Sequence, residues 1–274
     1  MPIRSLVWAC AFWLLTATAA TAETIVLVQG YLATAGNWRQ TGVTTALHLS
    51  GWRDAGHLGM TQGVVDARMT QPATGDRLFT IDLPTEAPVA IQSGLLARYV
   101  DHLRSDRPGE RIVIVGHSAG GVVARHMMVT RPHLAIAALV TIASPHMGTP
   151  AAELGSFFGH TPMAWFAPMM GLSTLNRSQV LYADLWRDSP GTHLGWLNRQ
   201  RHPAAQYVAV VRIGGSADVR GGDSIVDGWS QDLNAVPALH GTALRVTAVG
   251  EHGLNHGDGP LLAQILWGLR GPAL

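Results

Sequence analysis

Short apolar runs rich in β-branched residues alternate along the chain with segments whose apolar positions recur at helical spacing. The runs are Thr24 to Val28, Arg77 to Leu83, Arg111 to Val115, Ala138 to Ala143, Tyr207 to Arg212 and Leu244 to Val249. They are nearly continuous in apolar character, the pattern of strands buried on both faces. Between them, Val89 to Leu103 sets Ile91, Leu95, Leu96, Tyr99, Val100 and Leu103 at helical spacing before the stop signal Arg107-Pro108-Gly109. Ala119 to Val129 reads as a second helix, ending before Pro132, and Leu261 to Leu269 as a third, opened by Pro260. This order predicts an α/β fold, a mainly parallel central sheet with helices on both faces.

The alternation lapses from about 150 to 206. Within that stretch, Gly155 to Leu172 carries no charge and is rich in Phe, Met and Trp. A segment this long without a clear strand or long helix predicts an inserted cap or lid. Its Phe157, Phe158, Trp165 and Met169 side chains read equally well as an apolar substrate wall or as the core of the cap itself.

Residues 1–22 carry the three parts of an export signal. Arg4 is the basic start, Leu6 to Leu15 the apolar run, and Ala20-Thr21-Ala22 the small-x-small site, with cleavage after Ala22. The run is shorter than the about 20 residues a bilayer span needs. The expectation is a secreted or periplasmic protein, a single domain over 23–274, and no transmembrane span in the mature chain. Cys10 is the sole cysteine and lies inside the signal, so no disulfide, cysteine nucleophile or thiolate metal site is expected.

Of the 274 residues, 47% are apolar and 14% charged, enough to build a large core. Basic and acidic residues number 19 and 18, and every basic residue is Arg. The arginines are scattered, which argues against a nucleic-acid partner. Without Lys there is no Schiff base and no Ser–Lys dyad.

Candidate chemistry centres on Gly116-His117-Ser118-Ala119-Gly120-Gly121, set directly between a strand and a helix. A G-x-S-x-G pattern in that context forms a tight strained turn that lifts the serine hydroxyl above the carboxyl edge of the sheet. Small residues two before and two after the serine keep the turn free of clashes. A phosphate-binding loop is a poor alternative, because no Lys follows. A serine nucleophile needs a base, and the base needs a carboxylate, in the chain order Ser, acid, His for this kind of turn. After the strand at 207–212 come Asp218, Asp223 and Asp227, each a candidate for the carboxylate. After the last strand come His252 and His256, of which His252, three residues past Val249, is preferred. His117 is read as a support for the turn. The oxyanion donors are assigned to the backbone N–H groups of Ala119 and of Tyr31, which follows Gln29-Gly30 after the first strand.

Four segments together resemble bacterial triacylglycerol-lipase-like α/β-hydrolases: QGY at 29–31, GHSAGG at 116–121, TIASPHMGTP at 141–150 and GDSIV at 222–226. Gln29 stands where the V-H-G-x loop of those lipases has His. The resemblance implies hydrolysis of carboxylic esters, small or lipid, through an acyl-enzyme on Ser118, His252 and Asp223, with contact to lipid surfaces. An amidase, thioesterase or lactonase on the same triad, and a non-catalytic lipid- or partner-binding homologue, remain as alternatives. No cofactor and no metal are expected. Asp218, Asp227 and Asp258 offer oxygens, but their spacing matches no calcium loop.

Overall fold

A computed structural model describes residues 22–68, 74–152, 177–214 and 221–270. In chain order the elements are β1 (Glu23–Val28), α1 (Asn37–Gln40), α2 (Val43–Leu49), β2 (Arg53–Thr61), β3 (Val64–Arg68), β4 (Arg77–Ile81), α3 (Val89–Asp106), β5 (Arg111–His117) and α4 (Ala119–Thr130). They continue with β6 (Ala138–Ile142), α5 (Gln179–Asp184), α6 (His193–Leu197), β7 (Gln206–Ile213), α7 (Gly228–Gln231), β8 (Leu244–Val249) and α8 (Asp258–Gly268). The export signal, apart from Ala22, lies outside the described residues. So do the whole Phe/Met/Trp-rich stretch from Gly155 to Leu172 and Asp218.

The eight strands form one sheet in the order β3-β2-β4-β1-β5-β6-β7-β8. Every pairing is parallel except β2 with β3. The six strands foreseen from the apolar runs are all present, with ends shifted by at most two residues. The β2–β3 hairpin was not foreseen. Its strand β2 breaks register between Asp54 and Gly56 and buries only part of its length, so no continuous apolar run marks it.

Alternate residues of the central strands face opposite cores. Val26, Val28, Ile112 and Ile114 pack with α3 and α4 on one face. Ile25, Leu27, Val113 and Val115 pack with Trp38, Leu47 and Leu266 of α1, α2 and α8 on the other. All eight of these strand side chains are essentially fully buried. Burial at that level stabilises by about 1.5–3 kcal/mol per large aliphatic side chain. It also fixes the strand ends on which the candidate site is built. Among the described residues no helix is long and apolar enough to cross a membrane.

Candidate active site

Ser118 joins β5 to α4 with φ 51° and ψ −129°, a backbone region that L-residues rarely occupy. The turn is held by Ser118 N–H donating to Ile142 O at 2.8 Å and by Gly121 N–H donating to Ser118 O at 3.0 Å. Its tightness explains Gly116: a Cβ there would lie 2.6 Å from Gly121 Cα. Gly30 meets the same limit from the neighbouring strand end, since a Cβ would lie 2.8 Å from Ser118 Cβ. The loop after β1 therefore runs directly against the serine.

His252 stands in the loop after β8. Its Nε2 is 2.8 Å from Ser118 Oγ and its Nδ1 is 3.0 Å from Asp223 Oδ2. A carboxylate can only accept, so Nδ1–H donates to Asp223 and Nε2 is left to accept from the serine hydroxyl. Asp223 Oδ1 accepts from the N–H groups of Ile225 and Val226, both at 2.8 Å. Burial pushes the Asp223 pKa up. The His252 hydrogen bond and charge, with the two amide bonds, outweigh it, so the net shift is downward and the carboxylate stays ionised.

The other sequence candidates are elsewhere. His256 is exposed and packs near Gly42, and Asp227 precedes α7 and accepts from Trp229 Nε1 at 3.3 Å. Asp258 is no free oxygen ligand. Both its oxygens pair with Arg212 Nη2, at 2.7 and 2.6 Å, and each side chain is 1% exposed. Asp258 Oδ2 also accepts from Asn255 N–H at 2.8 Å, so this buried pair pins the loop that carries His252. Among the described residues no group of three or more His, Cys, Asp or Glu side chains could hold a metal.

His117 supports the histidine loop from behind. Its Nε2–H donates to His252 O at 2.8 Å, and burial is the main reason its pKa is lowered to about 4. It is therefore neutral at ordinary pH. One further support, Gln231, carries no signal in the sequence. Gln231, 1% exposed, donates through Nε2 to Asp223 Oδ2 at 3.1 Å and to Val226 O at 2.8 Å, and its Oε1 accepts from Arg212 N–H at 2.7 Å. The SPHMG turn holds the element that carries Gln231: His146 N–H donates to Ser230 O, and Met147 N–H donates to Ser230 Oγ. Gln29, in place of the lipase His, is buried. With its amide oriented to satisfy both ends, it donates to Ile81 O and accepts from Leu83 N–H, each at 2.9 Å. It thus ties the loop after β1 to the end of β4.

Ser118 and His252 open on a cavity of about 250 Å³. Tyr31 and Ala119 line it beside the serine, and Leu181, Tyr182 and Leu185 of the α5 region form the facing wall. Ala119 opens α4, so its N–H has no acceptor within the helix.

A parallel sheet with a serine on the strand–helix turn after β5, an acid after β7 and a histidine after β8 is the arrangement of the α/β-hydrolase fold. Residues 77–252, more than half of the chain, match the PGAP1-like alpha/beta domain, and the chain belongs to that family. No curated protein sequence matches it. Several solved structures share the fold. The product of the lin2722 gene of Listeria innocua aligns with TM-score 0.61 and 14% identity over 92% of this chain and 95% of that one. The mature form of the Bacillus licheniformis lipase BlEst2 aligns at 0.55 and 16%, over 93% and 94%. The metagenomic carboxyl esterase MGS0156 aligns at 0.55 and 17%, over 92% and 76%. At such identities the likeness establishes the fold alone.

Proposed function

We propose that the protein is a serine hydrolase of carboxylic esters that works through an acyl-enzyme on Ser118. The observation that carries this reading is the unbroken chain Asp223–His252–Ser118, with bonds of 3.0 and 2.8 Å, ending on a strained serine at a cavity. His252 Nε2 takes the hydroxyl proton as Ser118 Oγ bonds to the carbonyl carbon. The N–H groups of Ala119 and Tyr31 hold the resulting oxyanion, each contributing roughly 2.7–4 kcal/mol. His252 then returns the proton to the leaving alkoxide, and water, deprotonated by the same histidine, releases the acid.

The cavity favours an ester with a compact apolar acyl group, because Leu181, Leu185, Ile225 and Val226 supply much of its lining. The region around α5 is read as part of a cap over that group. The esterase and lipase names of two structural neighbours agree with this reading. The three-part leader at 1–22 supports export.

The test is Ser118→Ala. It should abolish turnover of p-nitrophenyl butyrate and labelling by a fluorophosphonate while leaving the melting temperature within a few degrees. Labelling that persists in the variant would overturn the nucleophile. A wild-type protein that is never labelled would favour the non-catalytic reading. Activity confined to amides, thioesters or lactones would keep the triad and change the substrate.

A further inference from the structure

Tyr31 enters the proposed chemistry through its backbone N–H, but its side chain makes a separate set of contacts. The hydroxyl donates to Ser178 Oγ at 3.1 Å and lies 2.5 Å from the Tyr182 hydroxyl. Since the Tyr31 proton is committed to Ser178, Tyr182 O–H donates to Tyr31. Burial first, then the bond to Tyr31, raises the Tyr182 pKa, so that phenol stays a donor at neutral pH. The two rings meet edge to face with centroids 5.5 Å apart. Ser178 is fully buried and immediately precedes α5, where a serine side chain would ordinarily cap the helix; it makes no such cap here and serves Tyr31 instead.

Both ends of this contact are constrained. On the loop side, Gly30 is pressed against Ser118, and Leu32 has φ 55°. On the α5 side, Asp184 Oδ2 accepts from Val89 N–H at 2.8 Å, anchoring that end of the helix to the start of α3. Leu181 and Leu185 flank Tyr182 and line the cavity.

We infer that Tyr182 and Ser178 position the oxyanion loop through the Tyr31 hydroxyl, which makes the cavity wall and one oxyanion donor a single mechanical unit. This rests on the assignment of the Tyr31 N–H as a donor under the hydrolase reading. Tyr182 is thus a positioning residue, acting through Tyr31 and not on the reacting atoms. A substrate that packs against Leu181 and Leu185 would bear on the donor that stabilises its transition state.

The test compares Tyr31→Phe, Tyr182→Phe and the double variant in the full chain, none of which removes the Tyr31 N–H itself. With p-nitrophenyl butyrate, each single variant should lower kcat by roughly tenfold, the scale of one hydrogen bond, with KM changed less than about twofold. The double variant should be no slower than Tyr31→Phe, because both changes break the same contact. Fluorophosphonate labelling of Ser118 should slow in parallel. Amide exchange at Tyr31 and Leu32 should quicken in Tyr182→Phe. An unchanged kcat, a change in KM alone, or fully additive losses would overturn the inference. If the wild type is neither active nor labelled, the hydrolase reading fails, and exchange alone decides the contact. Quickened exchange then keeps the coupling of loop and helix, and unaltered exchange rejects it.

Discussion

The two edges of the sheet differ in how they hold their loops. At the amino ends of the strands, charge is abundant and matched. Glu23, 1% exposed, accepts from Arg111, Arg270 and Trp52 Nε1. Glu110 accepts from Arg77, Arg107 and Thr24 Oγ1. The Arg270 guanidinium also lies 4.6 and 4.5 Å from the ring centroids of Trp52 and Trp267. At the carboxyl ends the Arg212–Asp258 pair is matched as well, but the turns around the candidate site are strained. Leu32, Ser118 and Ala143, which follow β1, β5 and β6, have φ of 55°, 51° and 53°. A non-glycine residue held there costs of order 1–3 kcal/mol. One edge satisfies its groups fully, and the other spends part of that stability to hold a hydroxyl, an imidazole and a carboxylate in line. Substitutions at the two edges should therefore have separable consequences.

The largest effect is expected at the carboxyl edge. Asp223→Asn keeps the size of the side chain but removes the charge that orients His252 Nδ1–H. The rate should fall by roughly 10⁴-fold, as when the wrong imidazole tautomer faces a serine. The melting temperature should move little, because the Ile225 and Val226 amides still find an oxygen. Steady-state kinetics beside calorimetry checks both halves. A variant that loses stability in proportion to activity would erase the distinction between the edges.

The converse substitution is Glu110→Gln. It takes the carboxylate from Arg77, which is 5% exposed and paired with Glu110 at 2.8 Å. Breaking one partner of a buried pair costs about 3–5 kcal/mol, and the remaining Asp106 contact to Arg77 offsets part of that. Denaturant unfolding should report the loss while kcat on the same ester stays unchanged. A fall in kcat at full stability would mean that the ion network reaches the site.

The same contrast governs what could be read from sequence. Strands β1, β4, β5, β6 and β7 announce themselves because both faces are buried and their apolar runs are unbroken, whereas β8, whose run predicts the same double burial, is a largely exposed edge strand. The Ser118 turn is legible because strand, glycines and helix are contiguous; the preference for His252 rests on its position after β8, and that for Asp223 on the likeness of Gly222 to Val226 to the acid-bearing turn of lipase-like hydrolases. The β2–β3 hairpin is not legible, since its pairing is antiparallel at the sheet edge and its bulge at Asp54 to Gly56 interrupts any period. Helices α1, α2, α5, α6 and α7 span four to seven residues, too short for a 3.6-residue repeat to show. Gln231 and Tyr182 carry no local signature at all. A glutamine becomes a support for Asp223, and a tyrosine a partner of Tyr31, only when separate loops are brought together. Chain order among Asp and His after successive strands leaves a trace in sequence; pairings across tertiary space leave none.

The smallest predicted effect separates the edges by proton uptake. His117 lies behind His252, and its folded pKa of about 4 falls below the 6.5 of an unperturbed histidine. Between those values the unfolded chain binds a proton that the folded chain refuses, so stability falls as pH drops from about 6.5 towards 4. His126 and His202, also lowered to about 4 chiefly by burial, add to the slope in the same window. At the amino edge, Asp106 loses stability in the same direction but in a lower pH window. Its hydrogen bond from Arg77 is the largest cause of a lowered pKa, so its contribution persists until pH falls below the usual carboxylate range. Acid should accordingly loosen the carboxyl edge first. His117→Asn should flatten the dependence of unfolding free energy on pH by up to about 1.4 kcal/mol per unit between pH 6 and 4.5. Urea titrations at several pH values measure that slope directly. A slope identical to that of the wild type would show that His117 takes up its proton in the folded state, and the carboxyl edge would lose its claim to be the acid-sensitive one.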